Sequence, residues 1–258
     1  MSMNTAGAGA TPEISISPDA AALAQEAARR FVAAAAAAIA ARGHFTVALS
    51  GGSTPKALFR LLAAAPYKEQ IDWSKLHLFW GDERTVPPGD EQSNYRMTRE
   101  NLLSQVPIPE GQIHRIVAEN PDHEAAADAY ATTLRQIFAL AGGEFPRFDL
   151  IHLGLGIEGH TASLFPGSPA LAERERLVAA PWVEQLNSFR ITLTPPTINA
   201  AREVQFLAAG AEKADIVRAI LRDPKDPNEL PAQIVAPEDG RLIWLLDAAA
   251  AGELDRTS

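Results

Sequence analysis

The sequence predicts an α/β fold: a modified Rossmann-like, largely parallel sheet flanked by helices. Two observations carry this. Short apolar runs (FTVALS, LHLFW, DLIHLGL, REVQFLAAG and RLIWLLDAAA) alternate with longer helix-patterned segments, and such runs suit strands buried on both faces. Several of these runs also stop at glycine-rich or charged polar motifs, where open parallel sheets collect ligands beyond the strand carboxyl ends.

The elements follow in order. Residues 1–12 are small and polar and read as a disordered tail, leaving 13–258 as a single α/β catalytic domain. Ser17-Pro18-Asp19 supplies a capping hydroxyl and a proline for a helix start. An alanine-rich helix runs from there to Gly43. FTVALS is a strand, SGGSTP a turn, and PKALFRLLA a helix. LHLFW, 76–80, is a strand ending in Gly81-Asp82-Glu83-Arg84. A helix starts from a Ser93 cap, and another runs from Asn120-Pro121-Asp122 to about Leu140. DLIHLGL, RLVAAPWV and FRITLT are strands, and TPPTINAA is a short helix or turn. REVQFLAAG leads into the amphipathic AEKADIVRAIL, and RLIWLLDAAA closes the sheet.

Composition removes several classes of function. The chain has no cysteine, so disulfides, thiolate nucleophiles and cysteine metal sites are excluded. Its formal net charge of -9 argues against nucleic acid as a partner. The apolar stretch 31–40 is too short to span a membrane, and no secretory signal precedes it. The expectation is a cytoplasmic protein, a monomer with a dimer as the alternative, acting on a small anionic substrate.

The segment Asp149–Ser168 is the richest in chemistry. An apolar run meets Gly154, Gly156 and Gly159, then His160, Thr161 and Ser163. His160 is the neighbouring side chain that can exchange a proton near neutral pH. A turn whose histidine only bonds locally is the competing reading. Ser50-Gly51-Gly52-Ser53-Thr54 precedes a helix and offers backbone donors and hydroxyls to a phosphate or carboxylate. It has neither dinucleotide nor Walker spacing; a plain turn with Ser53 as helix cap is the alternative. Asp82 and Arg84 suit a sugar hydroxyl and an anion, with Asn94 and Tyr95 as further wall residues, against a solvated charge cluster. Arg190, Arg202 and Lys213 are late cations, any of which could close an anion site or lie on the surface. The G-x-S-x-G elbow and H-E-x-x-H are both absent. A lone histidine activating water fits hydrolysis of a reactive ester.

ALSGGSTPKALF, LFWGDERTVPPGDEQSNYRM, DLIHLGLGIEGHTASLFPGS and RITLTPPTINAAREVQFLAAGAEKA together resemble the 6-phosphogluconolactonase family, over roughly residues 13–250. The resemblance implies the fold shared with glucosamine-6-phosphate deaminases, ribose-5-phosphate isomerases and CoA transferases. It also implies hydrolysis of 6-phospho-D-glucono-1,5-lactone in the oxidative pentose phosphate pathway, with no cofactor and no catalytic metal. It makes His160 the general base and Asp82 and Arg84 the acidic and basic pair. Gly51, Gly52, Ser53 and Thr54 become the substrate loop, with Arg202 and Lys213 near the phosphate. Glu158 stands where the family commonly has aspartate. The alternative, an amino-sugar phosphate deaminase, typically reads GHIAFNEP where this chain reads GHTASLFPG.

Overall fold

A computed structural model of the chain describes residues 12–255. The expected tail lies outside these residues but for Pro12.

The first element is a strand, β1 (Glu13–Ser17). Ser17 therefore ends a strand rather than capping a helix. The cap of α1 (Ala20–Arg42) is Asp19, whose carboxylate accepts the amide of Ala22. Pro18 sits one residue before that cap. Aspartate accepts the orphan amide as well as serine does, and β1 claims Ser17 for its pairing with β10 (Arg241–Asp247). Gly43, with φ of 80°, closes α1.

The apolar runs form the strands they predict: β2 (Phe45–Leu49), β3 (Leu76–Trp80), β5 (Leu150–Leu153), β9 (Glu203–Ala208) and β10. With β1 they make a parallel sheet in the order β1-β10-β9-β5-β2-β3. Helices cover both faces. On one, Phe31 of α1 lies 6.0 Å from the His152 ring of β5. On the other, Phe206 and Trp244 stack at 4.0 Å beside α6 (Ala214–Arg222). Between β2 and β3 runs α2 (Ser53–Leu62). The chain then crosses back over β2 through α3 (Asn94–Asn101) and α4 (His123–Ile137) to reach β5. The direction of strand addition therefore reverses beside β2, which leaves a crevice beyond the ends of β2 and β5.

Like β1, the strand that follows β3 is unforeseen. At Gly81 the chain leaves the parallel sheet: its amide donates to Leu49 O at 2.9 Å and its carbonyl accepts Leu193 N at 2.8 Å. It continues as β4 (Asp82–Arg84), antiparallel to β8 (Ser188–Leu193). Val178–Ala179 and Trp182–Val183, β6 and β7, pair with β8 on its far side. Pro195–Asn199 is the short helix α5.

The outer edge of β3 is closed by backbone at Leu78, whose carbonyl accepts His114 N at 2.8 Å, and by a side chain at Trp80. Tyr130 of α4 accepts Trp80 N at 2.9 Å and donates to Trp80 O at 3.0 Å. Burial pushes its phenol up, so it stays protonated and can serve both groups. Tyr130→Phe leaves an amide and a carbonyl unsatisfied in the interior. It is expected to lower the unfolding free energy by about 1–3 kcal/mol in urea titrations.

Candidate active site

A cleft of about 260 Å³ opens beyond the C-terminal ends of the central strands. Ser50, Gly51 and Gly52 follow β2, Asp82 and Arg84 follow β3, Gly154 to Gly156, His160 and Ala162 follow β5, and Lys213 follows β9. The structure thus brings together Gly51, Gly52, Asp82, Arg84, His160 and Lys213 from four separate sequence motifs.

The turn after β2 is shaped by Gly52, whose φ of 110° is a conformation that side chains oppose. Gly52 occupies the cap position of α2, with no side-chain cap. The amino end of this ten-residue helix is thus open toward the cleft. Ser53 and Thr54 are the first helical residues and do not line the cleft, so Ser53 is not the cap. Ser50 Oγ, in a residue only 5 % exposed, has no hydrogen-bond partner within the protein.

Strand alternation divides Asp82-Glu83-Arg84 between two tasks. Asp82 and Arg84 face the cleft. Glu83 points away and is buried, accepting Arg84 N, Asn94 N and Tyr95 N at 2.8 Å each and Ser93 Oγ at 3.1 Å. It therefore holds the amino end of α3, where a carboxylate is favoured. Burial pushes its carboxyl up, and the backbone donors pull it back. Both Asp82 oxygens are held: Ser163 Oγ donates to Oδ2 at 2.7 Å and Asn94 Nδ2 to Oδ1 at 3.2 Å. Tyr95 is no wall residue; its ring meets Trp80 edge-on at 5.5 Å.

The histidine loop is tightly pinned. Thr161 Oγ1 donates to Gly154 O at 2.9 Å, Leu164 N to Thr161 O at 2.9 Å, and Ser163 N to Thr192 Oγ1 at 3.2 Å. These bonds hold Ala162 at a φ of 47°, a conformation that costs a non-glycine residue about 1–3 kcal/mol. Thr161 and Ser163, grouped with His160 in the sequence, are supports buried beneath the cleft. The His160 ring stacks on Phe165 at 4.1 Å. Glu158 Oε2 lies 3.2 Å from Nδ1, off the axis of a ring N–H. The longer carboxylate therefore still reaches the ring. Burial pushes His160 below its ordinary value, Lys213 adds to this, and Glu158 and Asp82 oppose it.

Arg202 does not join them. It precedes β9, whereas the cleft lies past the other end of that strand, about 20 Å away at ~3.3 Å per residue. Its guanidinium instead faces Asp149 Oδ1 at 3.4 Å in a separate cleft with Arg42 and Arg241. Lys213 ends a 3-10 turn (Ala211–Lys213) just ahead of α6. Other histidines stand apart: burial takes His152 to about 4, and His77 and His114 stack at 5.3 Å. Among the described residues no cluster of histidine, aspartate and glutamate is arranged to hold a metal ion, and no helix is long and apolar enough to cross a membrane.

A parallel α/β sheet with a small polar cleft at its switch point, and His, Asp, Arg and Lys converging there, defines a Rossmann-like enzyme for a small anionic substrate. The family model for glucosamine-6-phosphate isomerases/6-phosphogluconolactonase matches residues 18–244. The chain is 46% identical to a 6-phosphogluconolactonase of Synechocystis sp. over 217 residues, 84% of this chain and 88% of that one. It is 43% identical to a 6-phosphogluconolactonase of Mycobacterium tuberculosis over 247 residues, 93% and 98% of the two chains. The solved structure of 6-phosphogluconolactonase from Trypanosoma brucei superposes with a TM-score of 0.85 at 32% identity, covering 94% of this chain and 98% of that one. The chain belongs to the 6-phosphogluconolactonase family, within the superfamily that includes the glucosamine-6-phosphate isomerases.

Gly156 supports the histidine by having no side chain. A Cβ there would run into His160 Nδ1 and Cε1 and meet Glu158 Oε2 at 2.8 Å. Gly156→Ala must displace the imidazole. It is expected to lower turnover about 10²-fold while the far-ultraviolet circular dichroism of the folded chain is kept.

Proposed function

We propose that this chain is a 6-phosphogluconolactonase, hydrolysing 6-phospho-D-glucono-1,5-lactone to 6-phospho-D-gluconate with His160 as general base. The carrying observation is the convergence of the His160 imidazole, the doubly held carboxylate of Asp82, and the cations Arg84 and Lys213 on one cleft.

In this reading the imidazole takes a proton from a water as the water oxygen bonds to the lactone carbonyl carbon. The carbonyl oxygen gains the electron pair. On collapse the carbonyl re-forms, the ring C–O bond breaks, and the imidazolium returns its proton to the departing ring oxygen. Nothing is consumed but water. The Asp82 carboxylate stabilises the transient imidazolium by charge, its oxygens held by Ser163 and Asn94. Glu158 orients the ring from the Nδ1 side. Arg84 and Lys213 supply positive charge to the substrate phosphate, aided by the open amino end of α2 behind Gly51 and Gly52. The unpartnered Ser50 hydroxyl is placed for a sugar hydroxyl.

The test is acid release from freshly made lactone, compared with its spontaneous hydrolysis; equal rates would end the reading. Correctly placed bases contribute about 10²–10⁴-fold, so His160→Asn is expected to lose turnover of that order. The neutral imidazole is the active form, and its folded pKa lies below the usual 6.5. The half-loss of activity on acidification should therefore fall below pH 6.5, as read from kcat/KM against pH.

A further inference from the structure

Arg84 and Arg190 stand directly opposite each other in the antiparallel pair β4–β8. Opposed residues in such a pair project from the same face, and like charges there destabilise the sheet. The next opposed pair on that face, Asp82 and Thr192, fixes which face it is. Asp82 and Arg84 line the cleft, and Thr192 Oγ1 accepts the amide of Ser163 in the histidine loop. Arg190 is thus carried on the cleft side, beside Arg84.

Proteins usually offset two adjacent guanidinium groups with a carboxylate. Here, among the described residues, both donate to neutral oxygens. Arg84 Nη1 binds Gln92 O at 2.6 Å. Arg190 Nη1 binds Ser188 Oγ at 2.5 Å and Phe189 O at 3.0 Å. The nearby carboxylates are committed elsewhere, Glu83 to the start of α3 and Asp82 to Ser163 and Asn94. Burial, with the charge of Arg84 behind it, pushes Arg190 below the usual guanidinium value, and the more distant charges of Asp82 and Glu83 only oppose it. Each group binds through a single terminal nitrogen, which leaves donors on both forks free.

We propose that Arg190 and Arg84 form a two-guanidinium clamp for a phosphomonoester dianion, and that Arg190 sets the preference for phosphorylated over unphosphorylated lactones. The inference rests on the lactonase reading for its substrate, and adds to Arg84 and Lys213 a cation outside the cleft lining. A phosphate carries close to two negative charges near neutral pH, enough to cancel the repulsion that the folded chain otherwise retains. Guanidinium forks match its oxygens in pairs.

The test uses Arg190→Gln with two readouts. Inorganic phosphate is titrated by thermal unfolding, and kcat/KM is measured for 6-phosphogluconolactone and for unphosphorylated D-glucono-1,5-lactone. The clamp requires phosphate binding to weaken at least about ten-fold. The ratio of the two kcat/KM values should fall by a similar factor. The melting temperature without phosphate should stay level or rise, because a like-charge contact has been removed. Arg190→Lys keeps the charge but not the fork, and is the second variant should glutamine prevent folding. Weaker phosphate binding in it supports the clamp. A lower melting temperature with wild-type phosphate binding, in either variant, would assign Arg190 a structural role and overturn the proposal. Wild-type protein that binds phosphate through Arg190 yet leaves the lactone to its spontaneous rate would remove the lactonase reading and keep the clamp. Unimpaired hydrolysis with phosphate binding indifferent to Arg190 would remove the clamp alone.

Discussion

The buried hydrogen bond from Ser163 Oγ to Asp82 Oδ2, 2.7 Å long, joins the two halves of the site. One partner belongs to the loop that carries His160, the other to the strand that carries Arg84. The residues are 81 positions apart, so nothing local holds the imidazole and the carboxylate at a fixed spacing. This contact does so, helped by Thr192, which takes the Ser163 amide from the neighbouring strand. The left-handed backbone at Ala162 is what such a tether requires. The loop must turn back sharply to send Ser163 inward while His160 stays at the cleft.

A second constraint sits at Gly81, where the chain leaves one sheet for another. Had β3 continued in the parallel sheet, Asp82 and Arg84 would run on past its edge. The switch to pairing with β8 turns both toward the cleft. The same pleat sends Glu83 beneath α3, so one tripeptide supplies a fixed anion and a cation to the cleft and an anchor to a helix. The electrostatics follow from this arrangement. Burial favours the neutral imidazole at rest, and the Asp82 and Glu158 carboxylates favour the imidazolium when a proton arrives. A base must satisfy both demands within one catalytic cycle.

Much of this was legible in the sequence. The apolar runs gave strands because parallel strands buried on both faces need uninterrupted hydrophobic residues, as in β2 and β9. Ser93 and Asp122 cap their helices as their side chains suggest. The glycine-flanked His160 and the Asp82–Arg84 alternation lie where strand-end logic puts them. The failures have separate physical causes. Arg202 seemed a site residue because it adjoins a strand, but one residue ahead of a parallel strand lies at the end opposite the cleft. Ser17 resembled a helix cap because β1 is a five-residue edge strand that runs straight into Pro18-Asp19. β4 is three residues long, too short for any periodicity to show. The support given by Ser163 and Asn94 to Asp82 depends on contacts across the fold that spacing does not encode.

The central claim is that substrate lies across the cleft with its reacting carbon at His160 and its phosphate at the arginine end. A crystal structure of the chain with 6-phosphogluconate tests this most directly. The C1 carboxylate, the product of the lactone carbonyl, should lie against the His160 imidazole, with the phosphate held by Arg84. A phosphate seated against His160, or product bound only in the separate cleft beside Arg42 and Arg202, would contradict it.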